Sequence, residues 1–123
     1  MRFRTEQHLR RQSDIRAARE QGSRLDCRAF TVWRRIRVPG ETVDPLQGRA
    51  AMVASIAAVG GAVKRNRAKR RLREIFRRHQ DQLPPGCDWL MVSRAAVNQR
   101  SFAELEKIFV KTCGQSSSPT PHA

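Results

Sequence analysis

The side chains that could do chemistry are spread unevenly along this chain of 123 residues. Hydrolysis by protein groups needs a positioned base and acid, usually histidine, or carboxylates that hold a metal. The three histidines, His8, His79 and His122, fall in an N-terminal arm, at the end of an apolar helical stripe and in a C-terminal tail, so no two are placed for proton transfer. Eleven carboxylates are scattered, with no cluster at metal-ligand spacing. Cys27, Cys87 and Cys113 are widely separated, without a Cys-x-x-Cys or a histidine pair. That pattern indicates neither zinc nor a disulfide framework and fits a reduced cytoplasm.

Positive charge, in contrast, is concentrated. Lys64 to Arg78 holds nine of the 25 basic residues and one carboxylate, Glu74. Guanidinium forks take phosphates in bidentate hydrogen bonds, so the chemistry expected of this run is recognition of a polyanion. On a 3.6-residue period Ala68, Leu72, Ile75, Phe76 and His79 form one stripe, and the arginines occupy the rest of the circumference. One face can therefore enter a core while the others stay charged. Glu74 stands four residues from Arg70 and from Arg78 and can pair with either, which offsets little of the excess.

The ordered residues Gly60-Gly61-Ala62-Val63-Lys64, then Arg65-Asn66-Arg67-Ala68-Lys69-Arg70-Arg71-Leu72-Arg73-Glu74, resemble the signature of the bacterial ribonuclease P protein component. Its core is Arg-Asn-Arg, one residue, Lys-Arg and a further Arg-Glu; a position usually aliphatic in the family is Ala68 here. The resemblance implies the protein subunit of a ribonucleoprotein endoribonuclease that removes the 5′ leader of precursor tRNA. The catalyst would be a large RNA using magnesium, with no catalytic residue in the protein and no cofactor or metal held by it. The implied partners are that catalytic RNA and precursor tRNA, not a membrane and not DNA.

By position, the resemblance places Arg65, Asn66, Arg67, Lys69, Arg70 and Arg73 against the catalytic RNA. It places the leader in a cleft between the first helix and the sheet, where Ile15, Arg19, Thr31 and Trp33 would lie. First-helix positions that are commonly aromatic are Ile15 and Arg19 in this chain, so leader contact leans on charge, with Trp33 as the stacking face. A second departure lies before the signature. The family's preceding strand usually ends in Ser-Lys-Lys and its glycine is followed by a polar or basic residue, but here stand Ile56-Ala57-Ala58 and Gly61, and several expected cations are missing.

These residues need a scaffold, and the length allows one modest core. A helix is expected over Leu9 to Gln21, with Ser13 as a cap, Asp14 in the first turn and Gly22 as the stop. Cys27 to Val38 alternates as a strand, with a short extra strand near Ser23 to Asp26. The uncharged run from Arg49 to Val59 reads as a strand buried on nearly both faces, broken by Gly60-Gly61. The basic helix runs from about Ala62 to His79, and Leu83-Pro84-Pro85-Gly86 turns the chain. Cys87 to Ser93 reads as a central strand, and Ser101 with Glu104 forms a capping box for a last helix carrying Leu105, Ile108 and Phe109.

The expected fold is thus α+β, an α-β-β-(β)-α-β-α two-layer sandwich with a mixed four-stranded sheet. The resemblance implies a left-handed β-α-β crossover, against the usual right-handed rule. Residues 1–8 are expected to be a basic arm, 9–113 a single RNA-binding domain and 114–123 a disordered tail. A formal net charge of +14 points to nucleic acid before an anionic membrane surface. No apolar run is long enough to span a bilayer. A ribosomal-type or generic RNA-binding structural protein is the alternative reading, and the ordered signature argues against it. A DNA-binding basic helix lacks accompanying heptads or a helix-turn-helix pattern.

Overall fold

The computed structural model describes residues 9, 12–37, 48–84 and 86–114. The expected N-terminal arm and C-terminal tail lie outside the described residues.

The sheet is built outward from the most apolar segment. Strand β4, Cys87–Ser93, is buried along almost its whole length, which only an interior strand can achieve. It pairs antiparallel with β2, Phe30–Ile36, in a register that sets Val32 opposite Met91. On its other side it pairs parallel with β3, Arg49–Val53. Strand β1, Ser23–Asp26, lies antiparallel on the outer edge of β2, giving the order β1-β2-β4-β3. The mixed four-stranded sheet is as expected, and the short strand near residue 23 is real.

Side chains that alternate along β4 feed two different cores. Trp89 and Met91, with Phe30, Val32 and Ala50, pack against Ala68, Leu72, Ile75 and Phe76 of helix α3, Ala62–His79, and against Leu105 and Phe109 of α4, Phe102–Cys113. Leu90 points the other way, to Leu9 and to Ala18 of α1, Gln12–Gln21. The second layer is therefore α3 and α4, and α1 adds a partial third on the opposite face. Each large side chain fully buried in this way contributes about 1.5–3 kcal/mol.

Three local expectations are corrected. The run from Arg49 to Val59 is not one strand: β3 ends at Val53, and Ile56–Val59 forms a single helical turn, α2, whose first amides are capped when Ser55 Oγ accepts from the Ala58 amide at 3.1 Å. As an edge strand, β3 buries only Ala50 fully. The helix α1 begins at Gln12, so Ser13 lies inside its first turn and is not the cap. Of its two expected partners Glu74 takes Arg78, and Arg77 stands in place of Arg70.

Gly22 and Gly60 are among the glycines that geometry requires. A Cβ on Gly22 would stand 2.3 Å from the Ala18 carbonyl oxygen and 2.7 Å from that of Arg34, so only glycine lets α1 end this close to β2. Gly60 closes α2 at φ 119°, a backbone state open mainly to glycine. Gly61 has open space around it and no such requirement.

Candidate nucleic-acid interface

Helix α3 carries the signature because its apolar stripe fixes which way the cations point. With Ala68, Leu72, Ile75 and Phe76 buried, Asn66, Arg67, Arg70 and Arg73 are exposed, and Arg65, Lys69 and Arg71 flank the stripe half-buried. The helix brings all six sequence-identified residues to one side of the domain, though not equally to solvent. The Nε of Arg65 is covered and has no hydrogen-bond partner among the described residues.

Charge on α3 is compensated only in its C-terminal half. Arg77 donates to Glu74 from Nε at 3.0 Å, and Arg78 reaches both Glu74 at 3.5 Å and Glu106 of α4 at 3.1 Å. The Arg77 hydrogen bond outweighs desolvation and, with the field of Arg77 and Arg78, holds the Glu74 carboxyl below the ordinary glutamate range. At Glu106 burial favours the neutral acid, but hydrogen bonds from His79 and Arg78 prevail and lower its pKa. Among the described residues, no ion pair engages Lys64, Arg65, Arg67, Lys69, Arg70 or Arg73. Lys64 and Arg65 also sit in the first turn, at the positive end of the helix dipole, and Gly61 offers the N-terminus no side-chain cap. Such an arrangement is unfavourable alone and favourable beside phosphate.

His79 does have a carboxylate partner, which spacing along the sequence did not reveal. Its Nε2 lies 2.9 Å from Glu106 and its Nδ1 3.3 Å from Gln82. With both ring nitrogens engaged, the pair braces α3 against α4. Among the described residues, no three His, Cys, Asp or Glu side chains gather as a metal site would require.

The other sequence-identified set lies on the opposite sheet face, with α1. Trp33 and Ile15 are both half-buried and pack against the Leu9, Ala18 and Leu90 cluster. Trp33 is thus neither enclosed core nor a free-standing platform. Arg19 is exposed one turn beyond Ile15. Thr31 shares the Trp33 face but is 7% exposed, and its hydroxyl accepts from Arg94 Nη2 at 2.7 Å. Arg94 also donates to the Arg28 carbonyl at 2.7 Å and to Asp26 at 3.3 Å, so the accessible polar group at that end of the cleft is the Arg94 guanidinium rather than the Thr31 hydroxyl.

A buried ionic hub holds α1 over this face. Asp88, fully buried on β4, accepts from Arg37 at 2.9 Å, from Arg49 at 2.9 and 2.8 Å, and from Arg35 at 3.4 Å. Arg49 continues to Asp14 of α1 at 3.5 Å, and Arg35 to Gln21 at 3.2 Å. The available signal was the lone aspartate in the apolar strand Cys87-Asp88-Trp89-Leu90, since a carboxylate there must be paired.

Comparison with known proteins agrees over most of the chain. A family model described as Ribonuclease P matches residues 3–116. The chain is 45% identical over 96 residues to the ribonuclease P protein component of Streptomyces griseus, covering 74% of each. It is 33% identical over 100 residues to that of Shouchella clausii, covering 81% of this chain and 77% of the relative. The RNase P protein from Thermotoga maritima superposes with a TM-score of 0.70 at 26% identity, over 85% of this chain and 92% of that one. The Staphylococcus aureus RNase P protein, at 20% identity and a TM-score of 0.70 over 86% and 91%, shares the fold.

Proposed function

The chain belongs to the ribonuclease P protein component family, and on that premise we propose that it divides two RNA contacts between opposite faces of its sheet. It is the protein subunit of a ribonucleoprotein endonuclease of tRNA processing. In our reading α3 binds the catalytic RNA through Arg65, Asn66, Arg67, Lys69, Arg70 and Arg73. The cleft under α1 takes the single-stranded 5′ leader of precursor tRNA, with Ile15 and Trp33 as its floor, Arg19 at its rim and Arg94 above Thr31. Guanidinium and amide groups suit the phosphates, 2′-hydroxyls and base edges of folded RNA, and a half-exposed indole suits an unstacked base.

The observation that carries this reading is the uncompensated stretch of α3 from Lys64 to Arg73, where Lys64, Arg65, Arg67, Lys69, Arg70 and Arg73 meet no carboxylate among the described residues, on a helix whose inner face is locked into the core. The protein supplies position and charge, and the bond-breaking belongs to the RNA. Magnesium is assigned to the RNA as well. Six of the eight described carboxylates, Asp14, Asp26, Glu74, Asp88, Glu104 and Glu106, each face an arginine, and no three acids, histidines or cysteines gather among the described residues.

The test is reconstitution with the cognate catalytic RNA at low magnesium. Cleavage of precursor tRNA at the mature 5′ end should require both components, and the purified, RNA-free protein should cut nothing at a unique site. Site-specific cleavage by the protein alone would contradict the subunit reading.

A further inference from the structure

A groove between α3 and the segment joining β4 to α4 borders the signature surface and extends beyond it. It is an open groove of about 620 Å³; Arg67, Arg70 and Arg71 line it from α3, and Asn98, Arg100 and Phe102 from the facing side. That volume falls in the range of about 300–1,000 Å³ typical of ligand sites. No carboxylate is among its lining residues.

The walls are tied together by bonds that leave the arginine charges uncancelled. Arg71 Nη2 donates to the Arg100 carbonyl at 2.6 Å, and Asn98 Nδ2 donates to the Lys64 carbonyl at 3.0 Å. Both acceptors are neutral backbone oxygens, so the ties hold the groove's shape without neutralising it. The acid nearest Arg100 is Glu104 at 3.6 Å, an exposed pair of the kind that contributes little. The ring of Phe102 is held by the Arg78 guanidinium, which lies 5.2 Å from its centroid and whose charge is already met by Glu74 and Glu106. Four guanidiniums therefore share one groove, and of these Arg100 alone has a carboxylate in reach among the described residues, the exposed Glu104. Burial, with Arg67 beside it, pulls the Arg71 pKa below the ordinary arginine value. The first turn of the 12-residue helix α4 contributes its positive dipole end to the same space.

We propose that this groove is a phosphodiester-binding subsite for the catalytic RNA, in which Arg71 and Arg100, not among the six signature residues assigned to that RNA, complete a clamp begun by Arg67 and Arg70. The inference rests on the subunit reading and adds residues to it. The catalytic RNA is the source of the phosphate because the groove shares two exposed arginines with the α3 surface and lies on the sheet face away from the α1 cleft. Opposed guanidinium forks suit the two non-bridging oxygens of a phosphodiester.

The experiment measures catalytic-RNA affinity across salt for the full chain and for Arg100→Gln, Arg100→Lys and Lys111→Gln. Lys111 is exposed on α4 and does not line the groove, so its variant loses the same charge elsewhere. Arg100→Gln should weaken binding about tenfold or more and lower the salt slope by about one unit. Arg100→Lys, which keeps the charge and loses the fork, should fall between it and wild type, and Lys111→Gln should stay within about twofold. Thermal melting identifies any variant that has not folded. Phosphorothioate scanning of the catalytic RNA then gives a readout on the wild-type protein: one substituted oxygen should cost affinity with wild type and not with Arg100→Lys. Equal losses for Arg100→Gln and Lys111→Gln, or a loss confined to precursor tRNA binding by the assembled holoenzyme, would overturn the subsite. Both results leave wild-type cleavage intact, and so are distinguishable from failure of the subunit reading.

Discussion

Two groups of arginines sit on opposite faces of one sheet and do opposite things. Arg35, Arg37 and Arg49 converge on the fully buried Asp88, and Arg49 goes on to Asp14 of α1. Arg67, Arg70 and Arg73 project from α3 and meet no carboxylate among the described residues. The side chains are identical in kind, and one aspartate makes the difference. Where an acid is buried, guanidinium groups are structural and set the pose of α1. Where none is present, the charge stays available to a partner. In an arginine-rich chain, then, the position of the carboxylates says more about function than the number of cations.

The largest expected effect strikes the structural set. Asp88→Asn leaves three guanidiniums crowded around a neutral amide, and breaking a buried ionic cluster from one side costs about 3–5 kcal/mol. Urea unfolding should show that loss, and a variant as stable as wild type would erase the distinction between the two groups. Leu72→Ala tests the scaffold under the other set: it opens a void beneath α3, at about 2–5 kcal/mol by the same measurement.

Next in size come Arg67→Ala and Arg70→Ala. Each should melt like wild type, within about 0.5 kcal/mol, because neither side chain is buried or ion-paired. Each should lose about 1.5–3 kcal/mol of catalytic-RNA affinity if its charged hydrogen bond is fully formed. Stability losses comparable to that of Asp88→Asn would place these arginines in the structural class.

The smallest effect is electrostatic. Glu74 has its pKa lowered in the folded state, so its contribution is present above the ordinary glutamate value and fades as pH falls through the folded pKa. The pair is exposed, so Glu74→Gln should cost less than about 0.5 kcal/mol at neutral pH and nothing once wild-type Glu74 is itself protonated. A stability gap that widened toward acid would reverse the sign argued here.

Much of this division was legible in the sequence, because periodicity reports directly on burial. The α3 stripe placed Ala68, Leu72, Ile75 and Phe76 inside, and so turned the signature outward. The order of elements along the chain and the last helix followed from equally local cues; Ser101 Oγ does accept from the Glu104 amide, at 3.2 Å. What escaped notice depends on distance along the chain. Asp88 meets Arg49 across 39 residues and Arg37 across 51, and no local pattern announces such a hub. His79 and Glu106 are 27 residues apart, and Arg71 meets the Arg100 carbonyl across 29. The break of Arg49–Val59 into strand and helical turn was local, but the apolar run concealed Ser55 as a cap.

The central claim is that the two sheet faces carry separate RNA contacts, and it is tested most directly by crossing two variants with two measurements. Affinity for the catalytic RNA, and holoenzyme affinity for precursor tRNA with and without its leader, are measured for Trp33→Ala and Arg70→Ala. Trp33→Ala should weaken the leader-bearing substrate by about 1–3 kcal/mol if a base stacks there, leaving mature tRNA and assembly almost unchanged. Arg70→Ala should weaken assembly and, once assembled at saturating RNA, discriminate the leader as wild type does. If each variant impaired both measurements equally, or a folded Trp33→Ala protein kept full leader discrimination, the division between the faces would be contradicted.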